Sequence, residues 1–89
     1  MSEQTDATDA ALKVVAEERQ RQFEKWGDQR HDIFRWLAIL GEEVGEANTA
    51  ALHAEFGGPE AENLRKEFVQ VAAVAVQVIE HIDRGVIMR

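Results

Sequence analysis

The chain has 89 residues, no cysteine, and 17 acidic against 10 basic residues, for a formal charge of −7. Without cysteine there is neither a disulfide framework nor a thiolate metal site, and the cytoplasm is the simplest compartment; the acidic balance argues against a nucleic-acid polymer, for which affinity comes from Lys and Arg. The length suits a single helical domain over residues 1–89, and no apolar run approaches the ~18 residues that span a bilayer, so neither a signal peptide nor a membrane partner is expected.

Residues 1–8 are polar and acidic and read as a flexible N-terminal tail. The first helix is predicted from a cap at Thr8 or Asp9 to about Lys25, with Leu12, Val15, Phe23 and Trp26 on one stripe that Arg19 interrupts. Gly27 is available for a left-handed cap, and Gln29, Arg30 and His31 fall in the connection that follows. Trp26 and His31 either seal the edge of the core or offer an aromatic and an imidazole contact to a flat base.

Asp32 caps the second helix, predicted over Ile33–Ala54. Ile33, Leu37, Leu40, Val44, Ala47 and Ala51 repeat at spacings of four and three, the pattern of a packed seam. One step round the helix runs a second line, Trp36, Ile39, Glu43, Glu46 and Ala50, which puts both carboxylates at the border of the core. Glu42 falls about 200° from Leu40 and is expected to be the most solvated of the three acids. Glycine in a helix interior costs roughly 0.5–1 kcal/mol relative to alanine, so Gly41 and Gly45 predict a close approach by a partner helix or a ligand. Between Gly41 and Asn63 there is no Lys or Arg, whereas Arg19, Arg21, Lys25, Arg30 and Arg35 crowd the stretch before it.

Gly57-Gly58-Pro59 ends the second helix, and Pro59 suits the first turn of a third, predicted to Arg84. Its seam is Leu64, Phe68, Val71, Ala75, Val78 and Ile82; its adjacent line is Glu67, Gln70, Val74, Gln77 and His81. Glu67 and Gln70 thus match Glu43 and Glu46 in phase and spacing. Two antiparallel helices packed through the seams would gather Glu43, Glu46, Glu67 and Gln70 into an all-oxygen cluster, which suits Mg²⁺ or Mn²⁺. Gln70 also falls on a polar line with Lys66, Gln77 and Arg84 that would face solvent. From Phe68 to Ile79 the third helix is apolar on nearly every side, more than one small chain can cover, so a symmetric copy is expected against it. The fold class is all-α: a three-helix chain with two long antiparallel helices, completing a helical bundle by homo-oligomerisation.

Glu17-Glu18-Arg19-Gln20-Arg21-Gln22, Lys25-Trp26-Gly27, His31, Trp36, Gly41-Glu42-Glu43-Val44-Gly45-Glu46-Ala47 and the run from Glu67 to Ala75 together resemble a short MazG-like protein of the all-α nucleoside triphosphate pyrophosphohydrolase superfamily. The likeness covers roughly Glu17–Arg84. It implies a homodimer or homotetramer that uses Mg²⁺ to cleave a nucleoside triphosphate between its α and β phosphates, releasing pyrophosphate and a monophosphate. Carried over from the family's EExxE and downstream ExxD, the metal ligands are Glu43, Glu46 and Glu67, with Glu42 a further ligand or a positioner of water beside Glu43. Gln70 stands where the family has aspartate, which removes a charge from the site. The family's basic residues after ExxD are also missing, so the resemblance leaves phosphate contacts to Arg19, Arg21, Lys25 or Arg30. A non-catalytic helical oligomer that binds nucleotides or a protein partner is the alternative. A purely structural bundle leaves the two glycines and the phased carboxylates without a cause.

Overall fold

The computed structural model describes residues 2–87, and three α-helices make up most of them. Helix α1 spans Glu3–Trp26 and begins ahead of Asp9: the Ser2 hydroxyl accepts the Thr5 backbone N–H at 3.1 Å, and Glu3 and Asp6 complement the helix dipole in the first turn. The stretch expected as a tail is therefore helical from Glu3 onward, while Met1 lies outside the described residues. Every residue from Ser2 to Lys13 is exposed, so capping rather than burial defines this end, and an apolar stripe does not report it.

Gly27, at φ +71°, closes α1 by donating its N–H to the Phe23 carbonyl at 2.8 Å. Helix α2 spans Ile33–Phe56, and its cap is the predicted one: the Asp32 carboxylate accepts the Arg35 N–H at 2.8 Å. It ends at Phe56, two residues past the expected boundary, with Gly57 as its C-cap. Gly58 packs against His53 so closely that a Cβ there would lie 2.4 Å from the ring, and His53 Nδ1 accepts the Glu60 N–H at 3.0 Å. A single 3₁₀ turn, Ala61–Asn63, then leads into α3, Leu64–Asp83. Pro59 thus sits in the connection rather than in the helix, because the residues after it are taken up by this turn and by the bond from Asn63 Nδ2 to Glu60 at 2.7 Å.

Helices α2 and α3 run antiparallel and pack mainly along the second of the two expected lines rather than through the apolar seams. Trp36 and Ala50 of α2 and Val74, Gln77 and His81 of α3 are buried on it, joined by Ala47 of the α2 seam and by Ala73, whereas Leu37, Val44, Phe68 and Ile82 of the seams are exposed. Alanine at the contact lets the helix axes approach, and α2 presents only one stripe to α3; the bulkier seam residues are left outside. Helix α1 packs on α3 and not on α2, anchored by Val15 in the core and by Arg19, whose guanidinium meets the Glu80 carboxylate at 2.7 Å. The radius of gyration, 14.7 Å, exceeds the ~12 Å of a compact domain of this length. Because α1 leans on α3 alone, a groove opens between α1 and α2 with α3 as its floor. Among the described residues, no helix is long and apolar enough to cross a membrane.

Candidate functional site

At one end of the α2–α3 contact, Glu43 and Glu46, one turn apart on α2, meet Glu67 of α3. One carboxylate oxygen from each lies within 4.8 Å of the others. Glu43 and Glu67 are half-buried and Glu46 is exposed, so the cluster sits at the rim of the core, open to water on one side. Burial first, then the charges of Glu46, Glu67, Glu42 and Glu18, push the Glu43 carboxyl above its ordinary pKa. The Glu67 carboxyl is raised as well, by burial and then by the adjoining Glu46 carboxylate. One buried oxygen on each of Glu43 and Glu67 has no hydrogen-bond partner.

Orphaned carboxylate oxygens beside a third carboxylate are the donor set of a hard divalent cation. Opposite ligands of an octahedral Mg²⁺ lie about 4.2 Å apart, so the observed spread is slightly wide, as expected of carboxylates that repel one another. The residues present therefore fit a divalent ion. Gln70 is half-buried and lines the groove with Glu43, which rules out the fully solvent-facing position. Glu42 is exposed and outside the groove; it bears on the cluster only through its charge, which raises the Glu43 pKa.

The groove beside the cluster has a volume of about 1040 Å³. Its α1 wall carries Glu18, Arg21, Lys25 and Trp26; α2 contributes Trp36, Ile39 and Glu43; α3 contributes Arg65, Lys66, Val69, Gln70, Val74 and Gln77. Of the residues expected to bind substrate, Lys25 and Trp26 are here, with Lys25 Nζ 4.9 Å from the centre of the exposed Trp26 ring. Arg19 is not: its pairing with Glu80 turns it to the opposite side of α1, among Leu12, Phe23 and Val76. His31 is not on the groove wall either. It stands edge-on to Trp36 at 4.8 Å between ring centroids, and so seals the core edge. Arg21 lines the groove with its charge spent on Glu18 at 2.6 Å, and Arg30 is paired with Asp28 at 3.0 Å.

Two basic residues on the groove escape a reading of the sequence for phosphate contacts, Arg65 and Lys66. They directly precede Glu67, one turn before Gln70, so their spacing to the acidic cluster is the available signal. What hides them is that only the docking of α1 makes that side of α3 a groove wall. No family model, no curated protein and no solved structure matches this chain.

Proposed function

We propose that the protein is a divalent-metal-dependent nucleoside triphosphate pyrophosphohydrolase of the MazG-like, all-α type, active as a homodimer or homotetramer. The observation that carries this reading is the convergence of Glu43, Glu46 and Glu67, two of them with orphaned buried oxygens, at the mouth of a groove that also holds Arg65, Lys66 and Lys25. In an acidic chain, phosphates are bound only where carboxylates are bridged by a cation and free basic groups stand nearby.

The placement supports a division of labour. Glu43, Glu46 and Glu67 hold the ion, which when bound neutralises phosphate oxygens and lowers the barrier to attack by water. Arg65 and Lys66 reach for the outer phosphates from the α3 side, and Lys25 from the α1 side. Glu43, the most strongly desolvated carboxylate of the cluster, orients a water toward the phosphorus; Glu42 adds negative field from solvent. Phosphoryl transfer asks little covalent chemistry of the protein, so positioning and charge suffice.

Gln70 favours the second reading, a nucleotide-binding oligomer without turnover, because an amide contributes an oxygen but no charge. One assay separates the two: incubation with a panel of ribo- and deoxyribonucleoside triphosphates and Mg²⁺, followed by detection of pyrophosphate. Release of pyrophosphate, abolished by Glu46→Gln, is the expected result. Binding of nucleotide without release would establish the second reading, and neither binding nor release would overturn both.

A further inference from the structure

Two helical turns from the acidic cluster, the groove ends against a pair of buried polar groups that play no part in holding a metal or phosphates. Gln77 of α3 is 5% exposed and Trp36 of α2 is 1% exposed, yet both line the groove. The Trp36 Nε1–H has no hydrogen-bond partner. Around them the wall is apolar, with Ile39, Val69 and Val74. A carboxamide on such a wall gains nothing from packing that a leucine would not gain as well, so its place there is explained by what it can hydrogen-bond in the groove. Buried polar groups at the end of a groove call for a ligand that satisfies them.

The spacing says what kind of ligand. Trp36 lies seven residues before Glu43 on α2, and Gln77 ten after Glu67 on α3; in antiparallel helices both intervals run the same way, for about 10 to 15 Å at 1.5 Å per residue. That is about the span of a nucleoside from its phosphate to the far edge of its base. Exposed Trp26 stands on the α1 wall of the same groove, an aromatic face for a planar ring.

We propose that Gln77 is the specificity-determining residue of the site, its carboxamide pairing with the donor and acceptor groups on the edge of the base. This rests on the pyrophosphohydrolase reading and goes beyond it, since the metal cluster and the basic residues serve any triphosphate. A carboxamide offers one donor and one acceptor side by side, the complement of the paired groups that a nucleobase presents.

The test measures kcat and KM for the ribo- and deoxyribonucleoside triphosphates with Mg²⁺, in the wild type, Gln77→Met and Gln77→Glu, with thermal melts of each to establish folding. Met keeps the length and removes the amide; Glu keeps the shape and leaves acceptors only. The wild type is expected to prefer one base, Gln77→Met to narrow the KM ratio between best and worst base by about tenfold, the loss of one hydrogen bond's worth of discrimination, and Gln77→Glu to re-rank the bases toward those presenting N–H donors. A merely structural glutamine would change stability without re-ranking. Pyrophosphate release with no base preference in the wild type, or with a preference that survives both substitutions, overturns the role of Gln77 and leaves the pyrophosphohydrolase reading standing. No turnover of any triphosphate by the wild type overturns that reading, and the inference with it.

Discussion

Glu43 is the carboxylate whose charge the fold supports least, because burial and four neighbouring acids all act on it in the same direction. Like charges one helical turn apart cost roughly 0.2–0.5 kcal/mol even on an exposed helix, and here Glu67 adds to Glu46. Glu43→Gln is therefore expected to raise the melting temperature of the metal-free protein while removing most of the further rise that millimolar Mg²⁺ gives the wild type. Equal Mg²⁺ shifts in the two proteins would remove Glu43 from the ligand set. His81 gives a second, independent prediction at the other end of the α2–α3 contact. It is buried against Trp36, and burial holds its imidazole below the ordinary value of 6.5. Asp28, 3.5 Å away in the connection after α1, opposes that shift, while Arg84 and Arg19 reinforce it and Glu80 opposes it weakly. With the folded value depressed, the unfolded chain binds the proton more readily, so the stability His81 contributes is present above about pH 6.5 and is lost as pH falls through the folded value. Glu43 and Glu67 act with the opposite sign in acid, since their raised values mean that protonation relieves repulsion. Comparing wild type with His81→Phe cancels the carboxylate contribution: urea unfolding between about pH 7.5 and pH 5.5 should show the wild type losing more stability than the variant. Parallel profiles would mean that His81 accepts its proton in place.

At the scale of the helix, α2 owes its start to one side chain. Asp32 satisfies an otherwise unpaired N–H of the first turn, and Asp32→Ala is expected to cost about 1 kcal/mol, read from denaturant midpoints at unchanged slope. A change under a few tenths of a kcal/mol would mean that the end is held by the Trp36–His31 contact instead. Such caps were legible because their chemistry is local: Asp32, Gly27 and Gly57 each announce a helix boundary through side chain or φ alone. The faces were less legible. Periodicity marks two lines on α2 and two on α3, and the apolar one of each pair is the natural choice for the interior. The fold instead buries most of the second line, Trp36, Ala50, Val74, Gln77 and His81, together with Ala47 of the α2 seam and Ala73 from outside both α3 lines. Which line wins depends on how closely two helices approach, a property of both together. The acidic cluster was readable despite this, since Glu43, Glu46 and Glu67 all belong to the second lines, at the rim of the contact. Arg19 was misplaced for the same kind of reason: its partner Glu80 is sixty-one residues away, and only the docking of α1 on α3 brings them together.

For the molecule as a whole, the chain is more open than its length requires, and much of its apolar surface faces outward. On α2 the exposed face is ordered in a specific way: Phe34 and Phe56, 78% and 79% exposed, lie eleven residues to either side of Gly45, with Ala38 and Leu52 seven to either side. All five share one face, because eleven and seven residues both return within about 20° of the starting direction at 100° per residue. A line that is large at both ends, small in the middle and nearly the same read from either direction is self-complementary in an antiparallel crossing, as a two-fold interface requires. Within a single chain, Gly41 and Gly45 have no evident purpose: a Cβ at either would meet nothing within 4 Å. The close approach expected of them is thus absent inside the protomer. The prediction concerns Gly45→Leu. If α2 meets α2 across this face, the added side chain separates the helices, and light scattering at micromolar concentration should show a smaller species than the wild type, with a melting temperature that falls on dilution. If the face is free in solution, replacing a mid-helix glycine removes a propensity cost of roughly 0.8–1 kcal/mol, and the variant should melt higher at unchanged mass. The two outcomes differ in sign, and a more stable Gly45→Leu protein of unaltered size would overturn the interface.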